Sequence, residues 1–132
     1  MKIFSPALSR LARLRYWRIE HWFKSPEAAQ REVLQDLITH GQYTQFGRKY
    51  QFAKIFNIRK YKETVPIHEY EDLKPYIDQI MAGDQSVLWN TPVEWFAKSS
   101  GTTNDKSKFI PITKESIEDN HFQGSKDVLT IY

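Results

Sequence analysis

Most of the chemistry this chain could do is concentrated in Ser99-Ser100-Gly101-Thr102-Thr103-Asn104-Asp105-Lys106-Ser107-Lys108. Four hydroxyls fall within five residues, Lys106 and Lys108 follow them, and Gly101 lies in their midst. Small residues let a backbone come close to an anion, hydroxyls and backbone N–H groups donate to phosphate oxygens, and lysine adds positive charge. A nucleotide phosphate loop is one reading. A polar hairpin turn is the other, because Ser, Thr, Asn, Asp and Gly all favour turns for local reasons. The segment is not a Walker loop, which needs two spaced glycines and opens a helix. Here Phe109-Ile110-Pro111-Ile112 reads as a strand, so the loop joins strands. Taken alone, it leaves both readings open.

The remaining residues offer little competing chemistry. His21, His40, His68 and His121 are scattered, and none pairs with another at the spacing of a helical metal site. Asp119 and His121 stand two apart, which puts them on different helix faces. Ser99 lacks the Gly-x-Ser-x-Gly surroundings of a nucleophile elbow. There is no cysteine, which excludes disulfides, thiolate metal sites and cysteine nucleophiles, and fits a cytoplasmic location.

The elements that must position the loop come from periodicity and caps. Residues 7–23 read as a basic helix, with Leu8, Leu11, Ala12, Trp22 and Phe23 near helical spacing. Ser25-Pro26-Glu27 signals a second start, with Ser25 as N-cap, and that helix stops near Gly41. After a loop, a short helix is expected around residues 47–55. Tyr70, Leu73, Ile77, Ile80 and Met81 then mark a third clear helix, ended by Gly83. Ser86-Val87-Leu88-Trp89 is a short strand candidate, followed by the strand–loop–strand from Trp95 to Ile112. Thr113 is placed as N-cap of a last helix in which Ile117, Phe122, Val128 and Leu129 supply apolar positions. The fold class expected is α+β: N-terminal helices followed by a strand–loop–strand phosphate-binding unit.

Composition supports a folded chain of modest size. Of the 132 residues, 40% are apolar and 14% aromatic, with four tryptophans, which argues against global disorder. The net charge of +3 is unevenly spread. Residues 1–24 carry Lys2, Arg10, Arg13, Arg15, Arg18 and Lys24 against Glu20, while residues 63–94 are acidic. No apolar run approaches the roughly 20 residues of a membrane span. The basic helix permits an alternative reading, a small interaction module binding nucleic acid or anionic membrane.

Three stretches together resemble a known family. Thr44-Gln45-Phe46-Gly47-Arg48-Lys49-Tyr50-Gln51-Phe52 resembles its Thr-x-Phe-Gly-Lys-x-Tyr-x-Phe segment. Val65-Pro66-Ile67, with Tyr70-Glu71-Asp72-Leu73-Lys74-Pro75-Tyr76-Ile77, is similar to its Val-Pro-x-x-x-Tyr-Glu-Asp-Leu-x-Pro-Tyr-Ile segment. Ser99-Ser100-Gly101-Thr102-Thr103, with Lys108 and Pro111 beyond, resembles its first nucleotide motif. The family is that of the auxin-responsive (Gretchen Hagen) acyl-acid amido synthetases, and in particular their bacterial relatives. The likeness covers about residues 26 to 132 and keeps the family's order of motifs.

The resemblance implies an adenylate-forming ligase that uses ATP and Mg²⁺ to activate a carboxylic acid, then joins it to an amino acid. Carried over by position, Ser99, Ser100, Gly101, Thr102 and Thr103 would bind the nucleotide phosphates, and Lys108 would be the catalytic lysine. No protein-held metal, no nucleic acid and no membrane span are implied. Asn104-Asp105 departs from the glycines found in many relatives and puts the loop's path in question. Residues 1–132 are expected to form one incomplete N-terminal part of the adenylating domain. Within it, 1–24 is the basic helix, 25–84 a helical region, 85–113 the strands with the nucleotide loop, and 114–132 an interrupted helix. The partner implied is the remainder of the enzyme chain, without which the fragment is expected to be inactive.

Overall fold

The computed structural model describes residues 6–99 and 107–131. The elements run α1 (Pro6–Lys24), α2 (Pro26–Gly41), α3 (Gln45–Lys49), α4 (Ile58–Thr64), α5 (Tyr70–Met81), β1 (Val93–Lys98), β2 (Phe109–Thr113), α6 (Lys114–Ser116) and α7 (Gln123–Ile131). A 3₁₀ turn spans Phe52–Lys54, and a π-helical stretch, Ile117–Phe122, joins α6 to α7. The fold is α+β, with helices and, among the described residues, one two-stranded antiparallel sheet. Arg31–Lys114 form one compact unit, and the described residues on either side of that range form a second.

In the Arg31–Lys114 unit, Ile38, Ile55 and Val65 make the buried centre, with Leu34, Phe46, Tyr50, Phe52 and Tyr61 packed against it. Full burial of an isoleucine side chain is worth about 1.5–3 kcal/mol, so these three residues anchor α2, the 3₁₀ turn and the end of α4 to one another. The short helix α3 depends on its caps. Thr44, only 1% exposed, accepts the Gly47 N–H at 2.9 Å and donates to the Gly41 carbonyl at 2.7 Å. The Gln45 and Phe46 N–H groups donate to the carbonyls of Ser86 and Val87 at 2.8 and 3.0 Å. The first three N–H groups of α3, which a helix start leaves without intrahelical partners, are thereby satisfied.

These bonds explain why residues 86–89 are not a strand, as the sequence suggested. Ser86 has a left-handed backbone, φ 54°, which breaks the extended path, and the carbonyls of Ser86 and Val87 cap α3 instead of joining a ladder. A second difference lies at residues 47–55, where α3 begins earlier, at Gln45, and a separate 3₁₀ turn follows Gln51, also left-handed at φ 50°. Helix α4 was not anticipated; Asn57 starts it, its side chain accepting the Lys60 N–H at 2.8 Å.

Helix α5 matches its periodicity. The Asp72 carboxylate accepts the Glu69 N–H at 2.9 Å at the start of the helix. At the other end the Asp84 N–H bonds the Gln79 carbonyl and the Gly83 N–H bonds that of Ile80, both at 3.0 Å, with Gly83 at φ 103°. This is a Schellman ending, and it needs glycine because L-residues are strained at that φ.

In the second unit, Arg15 of α1 forms a two-pronged pair with Asp127 of α7, Nε to Oδ1 at 2.5 Å and Nη2 to Oδ2 at 2.6 Å. Gln123 donates to the same carboxylate at 3.0 Å. The last helix begins directly after β2 as expected, but its course through Ile117–Phe122 is π-helical. Among the described residues, no helix is long and apolar enough to cross a membrane.

Candidate phosphate-binding site

The proposed loop springs from the open end of the β1–β2 ribbon. The strands pair in the register Phe96↔Pro111, Ala97↔Ile110 and Lys98↔Phe109, with an irregularity between Val93 and Trp95. Pro111 is tolerated because a two-stranded ribbon has only edges, so its missing N–H interrupts no second ladder. Beyond the last paired residues the ladder continues for one step. The Ser99 N–H donates to the Lys108 carbonyl at 2.9 Å. The Lys108 N–H returns to Ser99, but to the side-chain Oγ, at 3.1 Å.

That exchange marks the neck of the loop. In a regular antiparallel pair the Lys108 N–H would meet the Ser99 carbonyl. Here the hydroxyl oxygen takes that place, so the main chain can leave the ladder while both backbone groups at the neck stay bonded. Ser99 and Lys108, nine residues apart in sequence, thereby become facing neighbours, joined by the Ser99 N–H and hydroxyl to the Lys108 backbone.

Helix α5 braces the neck from the far edge of β2. The Tyr70 hydroxyl accepts the Phe109 N–H at 2.9 Å and donates to the Phe109 carbonyl at 3.3 Å. The Lys108 ammonium stands 5.5 Å from the centroid of the Tyr70 ring, within the range of a cation–π contact. The sequence reading placed Tyr70 only among the apolar positions of α5. A tyrosine on an apolar face carries a hydroxyl that seeks a partner, and that was the available signal.

Of the sequence-predicted site residues, Ser99 and Lys108 are thus brought together. Ser100, Gly101, Thr102 and Thr103 lie outside the described residues, as do Asn104, Asp105 and Lys106. Two of the histidines serve local packing and bonding: His68 shares a 2.8 Å bond with the Tyr50 hydroxyl, and His40 stacks on Trp89 and sits 3.3 Å from Asp36. Among the described residues no three His, Cys, Asp or Glu side chains form a metal-sized cluster. In α1, Arg15 is committed to Asp127 and Lys24 pairs with Glu20 at 2.9 Å. A groove of about 240 Å³ in the Arg31–Lys114 unit is lined mainly by Leu34, Ile38, Ile55, Phe56 and Ile58, and includes neither Ser99 nor Lys108.

Comparison with known proteins decides the family. The profile of the GH3 family N-terminal domain matches residues 15–131. The chain belongs to the GH3 family. This GH3 chain is 32% identical over 101 residues to indole-3-acetic acid-amido synthetase GH3.2 of Arabidopsis thaliana, an alignment covering 76% of the chain and 18% of the relative. It is 34% identical over 90 residues to jasmonoyl–L-amino acid synthetase JAR6 of Nicotiana attenuata, covering 67% of the chain and 16% of that protein. Among solved structures, it superposes on GH3.15 acyl acid amido synthetase with a TM-score of 0.79 and 25% identity. That superposition covers 98% of the chain and 23% of the larger structure. The GH3 chain therefore spans less than a fifth of the length of these curated relatives and less than a quarter of the solved one.

Proposed function

We propose that this GH3 chain carries the phosphate-binding part of an ATP-dependent acyl-acid amido synthetase, a ligase joining a carboxylic acid to an amino acid. The observation that supports it is the Ser99–Lys108 neck, where the Ser99 hydroxyl oxygen accepts the Lys108 backbone N–H at the two ends of a hydroxyl-rich, lysine-ended segment, in a chain similar to amido synthetases. The donor types fit nucleotide phosphates: Ser99 accepts through Oγ at the neck and has an O–H to offer an oxygen acceptor, and the residue paired with it is a lysine.

In this reading Ser99, Ser100, Gly101, Thr102 and Thr103 hold the β- and γ-phosphates, and Lys108 stabilises the charge that grows on the leaving pyrophosphate. When bound, ATP with Mg²⁺ supplies the activated phosphorus that the carboxylate oxygen attacks, and an amino acid amine then displaces AMP to form the amide. Mg²⁺ prefers phosphate oxygens and water to an all-protein cage, which suits a site whose protein donors are hydroxyls and a lysine. The reading places the enzyme in the cytoplasm. Residues 1–132 form one incomplete N-terminal part of the adenylating domain, one wall of the nucleotide site, and do not turn over alone.

Titrating MgATP into the isotopically labelled 132-residue chain tests the assignment. Shift changes centred on Ser99 and Lys108, weakened at least about tenfold in affinity by Lys108→Gln, are expected; MgATP leaving both residues undisturbed would overturn it. Acid-dependent ATP–pyrophosphate exchange by the chain alone is expected to be absent, and clear turnover would refute the claim that it is only one wall of the site.

A further inference from the structure

The position of Tyr70 carries an inference beyond binding at the loop itself, and it rests on the phosphate reading above. We propose that Tyr70 is a positioning residue for Lys108, fixing through the Phe109 backbone and its own ring the point from which the lysine reaches the phosphates.

The geometry follows from the alternation of an antiparallel ladder. Because Ser99 and Lys108 form a bonded pair, the next pair, Lys98 and Phe109, directs its backbone N–H and C=O groups away from each other's strand. On the β2 side those groups face an edge with no further strand among the described residues. The Tyr70 hydroxyl meets both, accepting from the N–H at 2.9 Å and donating to the carbonyl at 3.3 Å. A single hydroxyl thus completes what a third strand would otherwise supply.

The consequence falls on Lys108. Its N–H and carbonyl are bonded to Ser99 on one side, and the peptide linking it to Phe109 is bonded to Tyr70 on the other. Backbone freedom at the root of the lysine is removed before any ligand arrives. Tyr70 is itself a firm support, because it is the first residue of α5, the turn before it is fixed by the bond from Glu69 N–H to Asp72, and α5 is anchored by buried Ile77 and Ile80. The ring adds a second constraint by offering the ammonium a face 5.5 Å away. A group held near its working position loses less conformational entropy on binding, which raises affinity without a new contact to the ligand.

The two parts of Tyr70 can be separated by substitution in the 132-residue chain. Tyr70→Phe keeps the ring and removes the hydroxyl; Tyr70→Leu removes both. With Phe, exchange of the Phe109 amide proton should accelerate about tenfold, while the ring-shifted signals of the Lys108 ε-methylene stay in place. With Leu, those signals should lose the shift that the Tyr70 ring imposes as well. MgATP affinity should fall in both variants, further with Leu. A purely structural residue would lower the melting temperature of both variants yet leave the Lys108 signals and MgATP affinity at wild-type values, and that result would overturn the proposal. Should the wild-type chain fail to bind MgATP, the phosphate reading falls, but the positioning is still decided. Lys108 signals unmoved in Tyr70→Leu would overturn it, and their displacement together with faster Phe109 exchange in Tyr70→Phe would uphold it.

Discussion

Gly47 lies against the backbone of Gly41: a Cβ placed on Gly47 would stand 2.8 Å from the Gly41 carbonyl carbon and 3.0 Å from the Gln42 Cα, and closer still to the Gly41 oxygen. All three atoms belong to main chain, which cannot swing aside as a side chain can. Within a helix, alanine is intrinsically favoured over glycine by about 1 kcal/mol. Overpacking costs about 1–3 kcal/mol and occasionally more, and a Cβ pressed against fixed main chain falls at the upper end, so the clash wins. Gly47→Ala is expected to lower stability by about 2 kcal/mol or more, read from urea unfolding of the chain. Gly41→Ala should cost only about 1 kcal/mol, because its Cβ meets the edge of the Phe52 ring at 3.1 and 3.2 Å, and a ring can tilt.

Thr44 holds the same junction by polar means. Its hydroxyl is buried and spends both of its roles, donating to the Gly41 carbonyl and accepting the Gly47 N–H. Thr44→Val preserves shape and burial but strands the buried Gly47 N–H, while the Gly41 carbonyl keeps the Thr44 N–H as a donor at 3.0 Å, at a cost of about 2 kcal/mol. Thr44→Ser keeps the hydroxyl and loses one methyl, a cost of about 1 kcal/mol. If chemical denaturation ranks the serine variant as the less stable of the two, the cap is not what holds α3.

What the sequence disclosed and what it withheld divide along the range of the interaction. Helices α2 and α5 were legible because their determinants are local: Pro26 at the start of one, and Gly83 at the left-handed end of the other, lie within a few residues of the structure they set. The strand pair around the loop was legible too, since its two apolar runs are joined by a turn-forming segment. Residues 86–89 misled because Val87-Leu88-Trp89 has strand-like composition, while its carbonyls go to α3, some 40 residues earlier. Within the candidate site, the types of Ser99 and Lys108 were readable but not the Oγ substitution that joins them. Tyr70 was seen as apolar because periodicity registers a ring and is blind to a hydroxyl that finds its partner 39 residues away.

The neck itself offers a local test. Ser99→Ala removes the oxygen that accepts the Lys108 N–H at 3.1 Å. The bond ends a two-stranded ribbon, so its loss should be felt locally rather than globally. Exchange of the Lys108 amide proton is expected to accelerate about fivefold, equivalent to about 1 kcal/mol, with no measurable change in the melting temperature. Ser99→Thr, which retains the acceptor, should exchange like wild type. Equal protection in the alanine and wild-type chains would show that the hydroxyl does not close the neck.

The Arg15–Asp127 pair makes the unit containing α1 and α7 sensitive to acid. The hydrogen bond from the Arg15 guanidinium holds the Asp127 carboxyl below its ordinary value of 3.8, assisted by the bond from Gln123 and by the charges of Arg15 and Arg18, and opposed by desolvation. Because folding lowers this pKa, the unfolded chain takes up the proton more readily. The stabilisation is therefore fully present above the ordinary value and is lost as pH falls through the lower, folded one. Its size is about 1 kcal/mol, since the pair is partly open to solvent and screened. Asp127→Asn should weaken the protection of α7 amides by that amount at neutral pH, and the difference from wild type should shrink as the pH falls below 3.8 and vanish once it is below the lower, folded value. Arg15→Lys should recover only part of the effect, because an ammonium cannot reproduce the two parallel bonds to Oδ1 and Oδ2. Hydrogen exchange of α7 followed across that pH range would decide the matter, and a difference between wild type and Asp127→Asn that does not change with pH would show that the carboxylate's charge is not what stabilises the contact.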